Sequence, residues 1–399
     1  MCAASADFTD SNAVASDVSR HVMTGFDFRP RTRLVFGPGT IERLGALAAE
    51  LRVTRPLLVA DRGLVAAGHV ALAQHQLTRA GIEAVPFHGF DVNPDTTMID
   101  AGCAAARPHE VDGIIGLGGG SSMDCAKGIN FLLTNGGHIE DYQGYGKATQ
   151  PLLPMIGVPT TAGTGSEAQS YAVIANAATG LKMACGDPKA AYRVAVLDPE
   201  LTLSQPDTVT ATSGFDAIAH AVETAATTRR SPLSDCFSHE AWRLLESHYE
   251  TVLNHPADVE ARAAMQLGAF YAGFAIEQSM LGAAHACANP LTAHYQVTHG
   301  VALAILLPHV VRWNGVVAES GYRALLGGGS VPGASGERLA TRLRELADGA
   351  GLPACLQAEG VVEDDLLQLA DEAAQQWTGT FNPRPFTATD ALEIYRCAF

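Results

Sequence analysis

The sequence predicts an α/β dinucleotide-binding domain at the N-terminal end and an all-α domain at the C-terminal end. Three observations carry this prediction. Between about residues 30 and 200, short β-rich runs alternate with helix-forming stretches. One of those runs ends in a glycine-rich turn that leads directly into a helix. Beyond Ser204 the strand signal disappears and Ala- and Leu-rich helical periodicity takes over. Such alternation implies a mostly parallel, helix-covered sheet, and the cleft between the two domains is the default active site.

With 399 residues, 47% of them hydrophobic, the chain is long enough for two domains with sizeable cores. The expected division is a flexible polar tail over 1–25, the α/β domain over 26–203 and the helical domain over 204–399. The leader MCAASADFTDSNAVASDVSR has no basic segment followed by an apolar run, and no stretch reads as long and apolar enough to span a bilayer. Net charge is −16 and Lys and Arg are nowhere clustered, which disfavours nucleic acid and anionic membranes as partners. The eight cysteines are scattered without a CxxC pair, so a reducing cytoplasm fits better than a disulfide framework.

The strands come in order as RLVF (33–36), PLLVAD (56–61), AVPFHGF (84–90), DGIIGLGGG (112–120), MIGVPTT (155–161), YAVIAN (171–176) and YRVAVLD (192–198). Several begin apolar and end in Gly, Asp or Thr, then give way to helical sequence such as SMDCAKGINFLL (122–133). Between VIAN and VLDP, ATGLKMACGD (178–187) reads as a hairpin at one sheet edge. In the second half, turns such as HPAD (255–258), GGGSVPGASG (327–336) and FNPRP (381–385) separate the helices.

Within GIIGLGGGSSMDCAK, Gly118, Gly119 and Gly120 let the backbone approach a pyrophosphate. Ser121 can donate to it, and the following helix N-terminus adds partial positive charge. No Walker lysine follows at the required spacing, which disfavours nucleoside-triphosphate hydrolysis; a plain tight βα turn is the other reading. The stretch PTTAGTGSEAQ offers Thr160, Thr161, Thr164 and Ser166 to a cofactor's phosphates, ribose or amide, or simply forms a hydrogen-bonded loop. Asp61, at the end of PLLVAD, can accept both ribose hydroxyls of an adenosine and repel a 2′-phosphate, or serve as a helix cap.

Asp216 and His220 stand four residues apart in TSGFDAIAHAVE, and His285 and His299 fourteen apart in AAHACANPLTAHYQVTHG. The i, i+4 pair lies on one helix face, about 5–6 Å apart at Cβ, a gap one ion can bridge. One carboxylate and three imidazoles suit Fe(II), Zn(II), Mn(II) or Ni(II). Cys287 lies near these residues and reads as a small buried hydrophobe. His69, His75, His109, His239 and His248 fall in polar helical or turn surroundings and read as structural.

Together GGGSSMDCAK, PTTAGTGSE, GFDAIAHAVE and HACANPLTAHYQVTHGVALAILLPHV resemble the iron-containing (group III) alcohol dehydrogenases, over nearly the whole chain from FGPGTIERL to FNPRP. The resemblance implies the dehydroquinate synthase-like architecture and hydride transfer between NAD(H) and a small alcohol, aldehyde or ketone. Asp216, His220, His285 and His299 match the family's metal ligands, which implies one divalent metal, iron ahead of zinc. The cofactor positions it implies are Asp61, Gly118, Gly119, Gly120, Ser121, Asp124, Thr160, Thr161 and Thr164, with Lys182 nearby. The acidic Asp61 points to NAD over NADP, and a homodimer or higher homo-oligomer is expected. By analogy with related reductases, Asn93, Tyr171 and Asn289 face the substrate.

One departure stands out. Many members carry a histidine four residues after the third ligand, where this chain has Asn289. Asn cannot shuttle a proton near neutral pH. Either ribose hydroxyls and water carry the proton, or another histidine such as His294 takes over, or the substrate is atypical. The rival readings are a glycerol-dehydrogenase-like zinc enzyme, a dehydroquinate-synthase-like lyase and a non-catalytic nucleotide- or metal-binding sensor. The scarcity of Lys and Arg around the motifs counts against the lyase, which needs a basic phosphate pocket.

Overall fold

The computed structural model describes residue 26 and residues 28–90, 93–329 and 333–399, so the expected tail over 1–25 lies outside the described residues. Nine strands occupy the first half: β1 (Arg33–Phe36), β2 (Pro56–Val59), β3 (Val85–Phe87), β4 (Gly113–Gly118), β5 (Gly144–Tyr145), β6 (Met155–Pro159), β7 (Tyr171–Ala175), β8 (Lys182–Gly186) and β9 (Val194–Leu197). Helices α1 (Leu44–Glu50), α2 (Arg62–Ala66), α3 (His69–Arg79), α4 (Thr96–Ala106) and α5 (Gly120–Asn135) interleave with them. The second half holds α6 (Asp207–Thr224), α7 (Pro232–Asn254), α8 (Val259–Ser279), α9 (Ala283–Tyr295), α10 (His299–Leu325), α11 (Ser335–Gly349), α12 (Leu366–Ala374) and α13 (Ala388–Ala398). No strand occurs among its described residues.

Six strands form one parallel sheet in the order β1-β9-β6-β4-β2-β3. Side chains alternate across it, as a period of two requires. Leu57, Val59, Ile114 and Met155 enter the core on one face, while Leu58, Ala60, Ile115 and Ile156 enter the core on the other. The four central strands β2, β4, β6 and β9 are buried along their whole length, which is why they read as continuously apolar rather than alternating. The edge strands β1 and β3 are partly exposed. From β2 the chain moves outward to β3, and from β4 it moves the opposite way to β6. The carboxyl ends of β2 and β4 therefore flank the switch point, where open α/β sheets bind ligands.

Two expectations need correction. YAVIAN does not join the parallel sheet: β7 pairs antiparallel with β8, and with β5 they form a separate three-stranded sheet. In β7, Ala172 and Ile174 are buried between more exposed neighbours, the mark of a strand covered on one face only. The hairpin belongs to this small sheet rather than to an edge of the large one. Second, α10 is long and apolar enough by composition to cross a membrane, contrary to the sequence reading, but most of its apolar stretch is buried. It packs against α6, α9, α11 and α13, which bury most of its apolar stretch, while Arg312, Val316 and Val317 further along face solvent.

Candidate metal and cofactor site

Helix α6 presents Asp216 and His220, α9 supplies His285 in its first turn, and α10 opens on His299. Three imidazoles converge on one oxygen. The Nε2 atoms of His220, His285 and His299 lie 3.3, 3.6 and 3.9 Å from Asp216 Oδ1. Donors bound to one metal at about 2.1 Å in a tetrahedron stand about 3.4 Å apart, so these spacings suit a shared ion. The donor atoms of Asp216, His220 and His285 all lie within 4.8 Å of one another. His299 closes the set from the open side, its side chain 26% exposed against 7% for Asp216.

Asp216 Oδ1 and His285 Nε2 are buried with no hydrogen-bond partner. Leaving two such atoms unsatisfied is costly unless a cation takes them up. Burial alone would raise the Asp216 pKa, but the imidazoles, His220 foremost, hold it below the usual carboxylate range. Burial pushes His220 down to about 4. Burial, followed by the Lys182 charge, pushes His299 well below the ordinary imidazole value. An ionised carboxylate beside neutral imidazoles is the donor set a divalent metal requires.

The orientation of His285 is set from behind. Its Nδ1 makes a short hydrogen bond to Glu223 Oε2, while Glu223 Oε1 accepts from the backbone N of Ala284 at 2.8 Å. A proton held on Nδ1 frees Nε2 to face the ion. Against the lowering effect of burial, Glu223 and Asp216 raise the His285 pKa to about 9 in the metal-free protein. Next to His299, a Cβ on Gly300 would fall 2.0 Å from the Thr212 carbonyl oxygen. Glycine there lets α10 start against α6 and brings His299 to Asp216.

The cofactor loop begins where β4 ends. Gly118 has φ +141°, and a Cβ on it would meet Ser122 Oγ at 2.4 Å. Helix α5 then starts with no side-chain cap, leaving its first N–H groups for an anion. The second loop packs on the first, with Thr160 N bonded to Gly118 O at 3.0 Å. A Cβ on Gly120 would clash with Thr164, and one on Gly119 would press on Thr161. This bare backbone cradle at the switch point fits a pyrophosphate.

Both halves open into one cavity of about 310 Å³. Asp216, His220, His285 and His299 lie on its wall with Asn93, Gly120, Ser121, Asp124, Thr164, Tyr171, Lys182 and Asn289. All three substrate candidates therefore share a wall with the metal donors. The profile described as "Iron-containing alcohol dehydrogenase" matches residues 30–199, and "Fe-containing alcohol dehydrogenase family, C-terminal" matches residues 210–399. The chain belongs to the iron-containing alcohol dehydrogenase family.

The dehydrogenase is 31% identical to the NAD-dependent methanol dehydrogenase of Bacillus methanolicus, over 94% of this chain and 100% of that one. It is 34% identical to the 1,3-propanediol dehydrogenase of Klebsiella pneumoniae, over 94% and 99% of the two chains. The crystal structure of a 1,3-propanediol oxidoreductase superposes with a TM-score of 0.91 at 33% identity, covering 94% and 100%.

Several of the sequence-predicted residues also carry contacts of their own. Asp61, Gly118, Gly119, Thr160 and Thr161 are not among the residues of the cavity wall. Asp61 caps α2 through Leu64 N and also accepts from Ser122 Oγ at 3.3 Å. Asp124 is engaged by Ser166 Oγ at 2.6 Å and by Val173 N at 3.2 Å. Lys182 lies among the metal donors, where burial lowers its pKa. His294 cannot replace the missing histidine: it is paired with Glu372 at 2.7 Å and is not on the cavity wall. Cys287 is buried, and burial pushes its thiol pKa up, so it is inert.

Sequence reasoning missed Glu223, Lys127, Gln376 and Trp377. Glu223 is three residues beyond His220, on the same turn of GFDAIAHAVE. Lys127 is fully buried, donating to Ser166 Oγ at 2.7 Å and to the Tyr171 carbonyl, so it ties α5 to the second loop and to β7. A lysine inside the apolar run SMDCAKGINFLL was its signal. Trp377 stacks on Tyr171 with centroids 5.5 Å apart, and nothing local in WTGTFNPRP marks it or Gln376 as cavity residues.

Proposed function

We propose that the chain interconverts a small alcohol with its aldehyde or ketone using NAD(H), with a divalent metal, iron, held by Asp216, His220, His285 and His299. The observation that carries this reading is the convergence of three Nε2 atoms on the unpartnered Asp216 Oδ1, at the wall of a cavity that the glycine loop also reaches. When bound, the metal supplies Lewis acidity and the nicotinamide supplies hydride chemistry.

The remaining work falls to the chain. Glu223 keeps the His285 tautomer, and Gly300 keeps His299 in reach. The uncapped start of α5 and the glycine backbone receive the pyrophosphate. Asp61 accepts the adenosine ribose hydroxyls, and its charge repels a 2′-phosphate, which favours NAD. Ile276, Met280, Leu281 and Trp377 provide an apolar wall that excludes water from the reacting carbons. Asn289 neither takes nor gives a proton at neutral pH, so the alcohol proton leaves through hydroxyls and water. We place the enzyme in a reducing cytoplasm, supported by the free state of all seven described cysteines, and as a homo-oligomer, supported by the exposed apolar pair Val316 and Val317.

The test uses anaerobically purified protein with a panel of small aldehydes. Turnover with NADH should exceed that with NADPH, and His285→Ala should lose metal and turnover together. Asp61→Ser keeps a capping oxygen but removes the charge, so it should relax the discrimination against NADPH without a large loss of stability. Preference for NADPH in the unaltered protein, or full turnover in His285→Ala, would overturn the reading.

A further inference from the structure

We propose that a small cavity between α6 and α8 binds one monovalent anion of the size of a halide, with the Arg262 guanidinium as its counter-charge. Thr202, Gln205, Thr210, Ser213 and Arg262 supply the polar part of its wall, and Ala162 of the second cofactor loop closes one side. It shares no wall residue with the cavity that holds the metal donors.

The argument starts from a buried charge. Arg262, on α8, is only 2% exposed, and an arginine stays protonated in a protein. Its Nε donates to the Pro256 carbonyl at 2.8 Å and its Nη1 to Thr210 Oγ1 at 3.3 Å, both uncharged oxygens. Nη2 is buried with no partner at all. Burial lowers the Arg262 pKa. The charge that opposes this, Asp207, stands exposed at the start of α6 and makes no ion pair with it. Buried charges are ordinarily paired, so this one calls for an anion that the described carboxylates do not supply.

The rest of the wall sets the sign and size of the ligand. Thr210 and Ser213 stand three apart on α6, so their hydroxyls share a face. Thr210 Oγ1 accepts from Arg262, and Ser213 Oγ accepts from Gln205 Nε2 at 2.9 Å. Neither hydroxyl proton has an acceptor among the described residues, and no Asp or Glu lines the cavity. These protons and those of Nη2 all seek an acceptor. The volume, about 10 Å³, takes one water or one halide and has no room for phosphate or an organic acid. A water brings two protons of its own and no charge, whereas a halide only accepts and neutralises the guanidinium. A halide there joins α6, which carries Asp216 and His220, to α8 and to the turn after β9. It should therefore stabilise the folded chain by mass action.

The test is the thermal midpoint of the metal-loaded full chain as sodium gluconate is replaced by sodium chloride or bromide at fixed ionic strength, which holds screening constant. Above half-saturation the midpoint should rise about 1–2 °C for each tenfold increase in halide, for a chain of this length. Thr210→Val keeps the shape but removes one donor group, and should move the response to about tenfold higher halide, the value of one hydrogen bond. Arg262→Met should abolish it. Crystals grown in bromide should show an anomalous peak in contact with Arg262 Nη2. An ordinary water at that place in bromide would overturn the proposal, and so would a halide response identical in the parent and Thr210→Val. Should Arg262→Met fail to fold, the bromide peak and Thr210→Val still decide the site.

Discussion

Glu223 shows how far the proposed metal centre depends on a residue that touches no ion. Its two oxygens accept from His285 Nδ1 and from Ala284 N, so one carboxylate sets the ring and anchors the start of α9. In Glu223→Gln, one oxygen must serve both donors while the new amide faces one of them. Metal affinity should fall about 10–100-fold, as for other carboxylates behind a ligand histidine. Competition with a chelator measures this, with the far-UV CD spectrum unchanged; an unchanged affinity would remove Glu223 from the site. The four donors themselves are legible from spacing and residue type, because a metal needs those side chains whatever surrounds them. Glu223 is not, since a helix glutamate three residues from a histidine usually faces water. Gln376 is hidden for another reason: 87 residues separate it from Asn289, and only the fold brings them together.

Elements hold these residues through close backbone contact and buried charge. The start of α10 rests on α6 at Gly300, and a Cβ there meets a backbone oxygen that cannot swing aside. Gly300→Ala should therefore lower stability by about 1–3 kcal/mol and weaken metal binding by moving His299. Gly315→Ala on the same helix is the control. Its Cβ would meet Gly336 at an ordinary 3.5 Å, so helix propensity should leave it neutral or slightly stabilising. The second cofactor loop carries Glu167, which burial raises to about 7 from an ordinary 4.5. The folded chain thus keeps a proton that the unfolded chain releases, and stability falls as pH rises from about 4.5 through 7. Glu167→Gln should match the parent near pH 4 and exceed it by about 3 kcal/mol at pH 8 in denaturant titrations; parallel profiles would contradict this. Strands β2, β4, β6 and β9 were legible because burial along their whole length makes each run apolar. The pairing of β7 was not, since a strand's partner is chosen by tertiary contact.

At the scale of the molecule, two architectures meet at one cavity. The parallel sheet delivers a glycine loop and an uncapped helix start, and the helical domain delivers three histidines and an aspartate. The division between strand-rich and helix-rich halves was legible from periodicity alone, whereas the cavity wall drawn from both was not. Because the donors come from three helices, an ion bound to them ties α6, α9 and α10 together and stabilises the folded chain by mass action. The most direct test of this account is a titration of metal-stripped protein with Fe(II) under anaerobic conditions, following NADH-dependent aldehyde reduction and metal content in one sample. Turnover should start near zero, rise in proportion to bound metal and level off at about one ion per chain, with no rise in His285→Ala. Full turnover before any metal is added, or a rise that survives His285→Ala, would contradict it.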